Sequence, residues 1–460
     1  MGSKWSDENN RELLDEAVAY AREYLEGIED REVFPSREAL EGLEAFDEGL
    51  PEEPSDSMEV LAKLHRWGSP ATVAQMGRRY FGFVNGGTMP AALGARWLAD
   101  AWDQNAALYL MSPVISRLES VTERWLTDLL GLPEGTAAGF VSGSSMASFS
   151  ALAAARYRLL ERQGWDVNRR GLGEAPPLRI VAGAEAHATV KKALALLGFG
   201  LDRVEWVAVD DAGRMLPEAL PELDERTILI LQAGHVNTGA FDPFEALCAR
   251  AERAGAWVHV DGAFGLWAAA SESLGHLARG AERADSWALD GHKTLNTPYD
   301  NGILLCRDRE ALTAALQATG SYILYGEERD GMMTTPEMSR RGRVVELWAA
   351  LKCLGRSGVA GLVERLHERA LQFAEELRAE GFAIRNEVFF NQVLVSLESD
   401  EKTLKVMESL QRSGECWVGG AQWQGEQVIR ISVSSWLTEA GDVRRCVRAF
   451  AAAKREAERG

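Results

Sequence analysis

Between residues 138 and 306 the chain alternates short apolar or β-branched runs with helical spacing, and this pattern constrains the fold more than any other feature. The runs are 138–142 (AGFVS), 179–183 (RIVAG), 204–208 (VEWVA), 227–232 (TILILQ), 257–261 (WVHVD), 286–290 (SWALD) and 302–306 (GILLC). Helical patterns lie between several of them, as at 146–160 and 243–254. Strands that are apolar along their length belong to sheets covered on both faces. The alternation predicts an α/β fold with a seven-stranded, mostly parallel sheet. Ligands of such sheets sit beyond the carboxyl ends of the strands, so candidate residues are sought there.

The flanks read differently. Residues 8–28 form an amphipathic helical pattern through Leu13, Leu14, Ala17, Tyr20, Ala21 and Leu25, and more helix is expected up to Trp67. These helices have apolar faces but no core of their own. From Ser339 onwards, helices at 340–354 and 359–380, strand-like runs at 392–397 and 428–434, and a closing helix from 439 predict a smaller α+β domain. The expected division is an N-terminal helical segment over 1–75 that packs on another surface, a large α/β domain over 76–338 and a small domain over 339–460.

Charge and cysteine usage narrow the possible partners. Lys and Arg number 50 against 69 Asp and Glu, a formal charge of −19. That balance repels phosphodiester backbones and anionic membrane surfaces. No run of about 18 apolar residues is present to span a bilayer. The first residues show no apolar leader, and the five cysteines form no CxxC pair; both features predict a reduced, cytoplasmic protein. The seven histidines make no HExxH or Cys/His cluster, so no metal is expected.

Four segments carry candidate chemistry. In ADSWALDGHKTLN (284–296), Lys293 follows an apolar strand and stands next to His292. A desolvated lysine there can form a Schiff base with an aldehyde, while a solvated loop lysine is the commoner occupant of such a position. In VHVDGAFG (258–265), Asp261 ends a strand where an acid needs a partner. The protonated nitrogen of a pyridine ring is one such partner, and a turn or helix cap is another. In GFVSGSSMAS (139–148), a strand runs through Gly143 into a helix, and backbone N–H groups with Ser144 and Ser145 can hold an anion. In GAEAHATV (183–190), His187 precedes a helix, where it can stack on a flat ring or cap the helix. All four lie at or just past the carboxyl end of a strand, so they can converge on one crevice. Together they meet the needs of pyridoxal 5′-phosphate (PLP).

The chain resembles the group II PLP-dependent amino-acid decarboxylases, which include glutamate, aromatic-amino-acid and histidine enzymes and bacterial members often labelled aspartate aminotransferase family. The matching parts are YFGFVNGG (80–87), WDQNAALYLMSP (102–113), NTGAFDP (237–243), VHVDGAFG (258–265), ADSWALDGHKTLN (284–296) and SRRGR (339–343). The resemblance implies a type I PLP-transferase fold and a homodimer with active sites at the subunit interface. It implies Lys293 as the Schiff-base lysine, Asp261 as the pyridinium partner and His187 as the ring-stacking histidine. Ala263 would touch the other ring face, and Gly143, Ser144, Ser145 and His292 would hold the phosphate. Thr238 and Ser286 match positions near the cofactor.

The implied reaction is decarboxylation of an L-amino acid through an external aldimine and a quinonoid. Two departures bear on it. The phosphate turn reads SGSSMAS where the family usually has a sequence near SGGSEAN, and the stretch 326–341 offers Thr334 but no tyrosine to return a proton. Tyr322 and Tyr325 lie just upstream. Transamination and decarboxylative carbon–carbon bond formation are therefore the alternatives, and binding without turnover is the reading from another class. Arg430, in VIRISVS, is a candidate substrate contact or a rim salt bridge, and Trp102, Trp417 and Trp423 are candidate pocket walls or core residues.

Overall fold

The computed structural model describes residues 5, 7–317 and 328–459. Its strands are β1 (Tyr80–Phe81), β2 (Ala137–Val141), β3 (Arg179–Gly183), β4 (Val204–Val207), β5 (Thr227–Gln232), β6 (Trp257–Asp261), β7 (Ser286–Asp290), β8 (Gly302–Cys306), β9 (Ala383–Ile384), β10 (Gln392–Ser396), β11 (Trp417–Trp423) and β12 (Glu426–Ser432). A seven-stranded sheet runs β2-β8-β7-β6-β5-β3-β4. β8 is antiparallel to both neighbours, and the remaining pairs are parallel. The carboxyl ends of β2, β3, β5, β6 and β7 therefore open on one edge.

Every residue of β2, β5, β6, β7 and β8 is buried, which explains their unbroken apolar character. The helix Ser144–Glu161 crosses one face and buries Ala147, Ala151, Ala154 and Ala155 there. These small side chains let it approach the strands closely, while Leu152 and Leu159 fill the gaps beside it. Each such leucine contributes about 2 kcal/mol by leaving water. The opposite face is closed by Leu126, Phe244, Leu247, Trp267 and Leu347.

The smaller sheet runs β1-β11-β12-β10-β9. β1 pairs in parallel with β11, Tyr80 opposite Trp417, so residues 80–81 belong with the small sheet although they precede the large one. The helix Val344–Ala379 is interrupted at Gly355, whose φ of +62° suits a residue without a Cβ. The break falls where the sequence separates two helices.

The helix Glu8–Gly27 buries none of its residues. Leu14, Leu40, Leu43, Phe46, Val60 and Leu64 of the N-terminal segment are exposed, as are Trp97, Leu98 and Trp102 of the helix Pro90–Trp102. Among the described residues no helix is long and apolar enough to cross a membrane.

Candidate active site

The crevice is built on the carboxyl ends of β2, β3, β6 and β7. β2 stops at Val141, and Ser142 and Gly143 turn the chain into the helix that opens at Ser144. This turn lies against the start of β8. A Cβ on Gly302 would sit 2.3 Å from the Cα of Gly143, so only glycine lets the two segments meet. The Ser144 N–H donates to Asp290 Oδ1 at 2.6 Å. Among the described residues no hydrogen bond engages the hydroxyl of Ser144 or Ser145, which leaves both for a ligand at the helix N-terminus.

The lysine loop follows β7. Thr294 Oγ1 donates to Phe264 O at 2.7 Å, and the Asn296 amide donates to Thr294 O and Ser434 O at 2.8 and 2.9 Å. Gly86 packs on the same loop and donates its N–H to His292 O at 3.3 Å. So braced, Lys293 keeps some exposure and places Nζ 3.1 Å from Asp290 Oδ2. His292 Nδ1 accepts the Asn301 N–H at 3.0 Å, and its ring lies 4.3 Å from that of Tyr299. Burial pushes the His292 imidazole below its ordinary pKa, so it is neutral at pH 7.

Asp261, at the end of β6, is buried and accepts the Ala263 N–H at 3.2 Å. Burial raises its carboxyl pKa, and the charges of His187 and Lys293 oppose that rise. Ala263 also accepts the Asp290 N–H at 2.9 Å, so one residue ties the two acids together.

His187 caps the helix Ala188–Leu196. Its Nδ1 accepts the Thr189 N–H at 3.3 Å and lies 2.7 Å from Thr189 Oγ1. With Nδ1 accepting, the proton of the neutral ring sits on Nε2. Burial lowers the His187 pKa, Asp261 raises it, and Lys293 and Arg430 lower it further. Capping and ring binding are thus compatible roles of one side chain.

Sequence reasoning missed a group on the small-domain side. His235 follows β5, accepts the Asn237 and Thr238 N–H groups through Nδ1 at 3.3 and 3.4 Å, and lies 5.1 Å from the Trp423 ring. Burial first, and then the charges of His187 and Arg430, push it down to about 4. Arg430 reaches across from β12 and donates to Val236 O and Asn237 Oδ1 at 3.4 and 3.3 Å. Its Nε is buried without a partner, and among the described residues it forms no ion pair. Burial alone lowers its pKa. The available signal was a histidine three residues beyond a fully buried strand, just ahead of the NTGAFDP turn.

The pyridoxal-dependent decarboxylase conserved domain matches residues 41–398 of this chain. The chain belongs to that family. It is a PLP-dependent carboxy-lyase acting on amino acids. It is 28% identical over 407 residues to the acidic amino acid decarboxylase GADL1 of Mus musculus, covering 85% of this chain and 72% of that protein. It is 30% identical over 334 residues to the cysteine sulfinic acid decarboxylase of Homo sapiens, covering 68% of this chain and 66% of that one. Among solved structures, Oryza sativa TDC with PLP and tryptamine superposes with a TM-score of 0.91 at 23% identity over 99% of both chains. Mouse CSAD superposes at 0.88 and 24%, over 96% of this chain and 98% of that one. At these identities the superpositions show the type I fold.

The decarboxylase's own crevice fits PLP. Lys293 is exposed enough to meet an aldehyde. The Asp261 carboxylate accepts a single hydrogen bond among the described residues and can take a ring N–H, and the Ser144–Ser145 turn offers free hydroxyls to a phosphate.

Other expected contacts lie elsewhere. Ser286 begins β7, level with His259 rather than with Asp261. Its hydroxyl is fully buried against Trp257 Nε1 and His259 Nδ1, both at 3.0 Å, which removes it from the ligand crevice. Thr238 Oγ1 donates to Ala212 O at 2.6 Å and is fully buried, so its hydroxyl serves the loop and not a ligand. Thr334 is buried against Gly139, with its hydroxyl directed to Gly331 O. Trp417 stacks on Phe34 at 4.9 Å, Trp102 is exposed, and Trp423 alone of the three tryptophans adjoins the crevice. Tyr322 and Tyr325 lie outside the described residues.

Proposed function

We propose that this decarboxylase removes the α-carboxylate from an amino acid whose side chain is itself anionic. The observation that carries the proposal is Arg430, a half-buried guanidinium with its Nε buried and unsatisfied and, among the described residues, no carboxylate partner, bordered by His235 and Asn237. A buried, unpaired cation is costly, and a ligand anion removes the cost. That anion is better placed on the side chain than at Cα. The α-carboxylate loses its charge as CO2 departs, so an arginine gripping it would hold the ground state more tightly than the transition state. The similarity to acidic and cysteine sulfinic acid decarboxylases supports the same substrate class.

When bound, PLP supplies an aromatic ring that accepts the electrons of the broken bond. Lys293 Nζ would hold the cofactor's aldehyde, and Asp261 would keep a proton on its ring nitrogen. His187, oriented by Thr189, would stack on the ring and carry on Nε2 a proton for the substrate. Ala263 would touch the other ring face, and Gly143, Ser144, Ser145 and His292 would hold the phosphate. The second subunit of a homodimer covers the exposed apolar surface of the N-terminal segment.

The test is a substrate panel with Arg430→Met and Arg430→Lys. KM for aspartate, glutamate or cysteine sulfinate should rise about 100-fold in R430M, the scale of a lost buried charge pair, with partial recovery in R430K. An unchanged KM for acidic substrates, or preferred turnover of aromatic amino acids by the wild type, would overturn the proposal.

A further inference from the structure

Asp290 is a second acid in the crevice, and none of the roles above uses its charge. It is the last residue of β7 and is 1% exposed. Oδ1 accepts the Ser144 N–H at 2.6 Å, while Oδ2 lies 3.1 Å from Lys293 Nζ and 3.7 Å from His292 Nε2. A Cβ at Gly143 would lie 3.6 Å from Oδ1. The carboxylate therefore occupies the turn that a phosphate needs, and it already uses one of that turn's N–H groups.

The surrounding charges cannot absorb a second anion. Lys293 and His292 face Asp290 from its own segment, and His292 is neutral at pH 7. Asp261 on β6, His187 at the head of its helix and the Tyr299 phenol also sense its charge. The helix opening at Ser144 contributes only neutral serines. Among the described residues, Lys293 is thus the one lysine or arginine paired with Asp290, and its charge also acts on Asp261. A doubly charged anion beside a buried carboxylate favours the protonated acid. The protonated form is also the better partner, because an O–H can donate to a phosphate oxygen where a carboxylate can only repel it.

We propose that Asp290 takes up one proton when an anion occupies the turn at Ser144, and that in the loaded enzyme it is a neutral carboxylic acid donating to the phosphate. One O–H bond forms at Asp290, and the proton is drawn from solvent, with Lys293 Nζ adjacent to Oδ2 as its relay. Asp290 is in this sense a positioning residue: it holds Lys293 in the empty site and the phosphate in the full one. The proposal rests on the Ser144 turn being the phosphate site.

Proton linkage tests it directly. Inorganic sulfate, which does not titrate near neutrality, is bound to full-length protein stripped of cofactor, and the heat is measured in buffers of different ionisation enthalpy. The wild type should take up close to one proton per sulfate, with affinity falling about tenfold per pH unit between pH 6.5 and 8.5. Asp290→Asn, a neutral isostere, should take up none, lose the pH slope and bind sulfate about tenfold tighter at pH 8. Infrared spectra of the PLP-loaded wild type should carry the carbonyl band of a protonated carboxylic acid, lost in D290N and kept in Asp261→Asn. Sulfate binding without proton uptake, or the same uptake in D290N (which would assign the proton to His292), overturns the proposal and leaves the phosphate site standing. Failure of sulfate to bind, or to compete with PLP, overturns the phosphate site itself.

Discussion

Nδ1 of His187 lies 2.7 Å from Oγ1 of Thr189 and accepts the same residue's backbone N–H at 3.3 Å. One threonine thereby fixes both the tautomer and the plane of the imidazole that faces Asp261 and Lys293. Thr189→Val keeps the β-branched shape and removes the hydroxyl. Turnover should fall about tenfold, the effect of losing orientation at a proton donor, while PLP affinity changes less than threefold. Steady-state kinetics beside cofactor titration separate the two effects, and an unchanged turnover would remove His187 from proton delivery.

The buried polar group below Asp261 makes stability depend on pH. His259 pairs with Ser286 Oγ at 3.0 Å and Ser148 Oγ at 3.2 Å, and burial pushes its pKa down to about 3. The unfolded imidazole titrates near 6.5, so between pH 6.5 and about 3 the unfolded chain binds the extra proton. The contribution of His259 is therefore full above pH 6.5 and declines as the pH falls. His259→Asn should destabilise the protein by about 1–3 kcal/mol at pH 8, because two buried hydroxyls lose their partner. The gap between variant and wild type should narrow from pH 7 to pH 5. Thermal unfolding at a series of pH values checks this, and a gap that widens in acid would contradict it.

The segment leading into SRRGR is held by buried charge. Glu119 bonds Arg329 Nε at 3.0 Å and Arg340 Nη2 at 2.7 Å, and Glu123 bonds Arg329 Nη1 at 2.6 Å. Glu119→Gln leaves two buried guanidinium groups undercompensated and should cost about 3–5 kcal/mol. Replacing Glu119 and Arg340 together should cost less than the sum of the single changes. Denaturant unfolding of the two single variants and the double variant gives the coupling.

Much of this arrangement was legible in the sequence, for physical reasons. The strands of the large sheet are buried on both faces, so each shows as an apolar run that falls within a residue of β2–β8. β11 was not visible because WVGGAQW carries two glycines and an uneven burial pattern, and β1 because two residues make no pattern. Lys293, Asp261 and His187 stood out because each breaks an apolar context that packing alone does not explain. Ser286 and Thr238 failed the same logic in reverse. A small hydroxyl near a motif serves equally as an internal hydrogen-bond partner, and only the register of β7 against β6 places Ser286 below the site. His235 and Arg430 are far apart in sequence, and only the approach of β12 to the turn after β5 brings them together.

The N-terminal helices expose Leu14, Leu43, Phe46 and Leu64, and the helix Pro90–Trp102 exposes Trp97 and Leu98. The proposed burial of these side chains against a second copy predicts a dimer in sedimentation at micromolar concentration. Leu98→Glu should shift it toward monomer with loss of activity. A wild type that sediments as an active monomer would contradict that assembly.

The central claim is that this PLP-dependent carboxy-lyase acts on an amino acid with an anionic side chain. The most direct measurement incubates the PLP-loaded enzyme with each amino acid and with cysteine sulfinate, with and without a keto acid or aldehyde, and reads the products by mass spectrometry. The account predicts an amine lighter than its parent by one CO2, formed from an acidic substrate without an acceptor and absent with Lys293→Ala. A keto acid, an adduct that requires an acceptor, or amines formed from aromatic amino acids alone would contradict it.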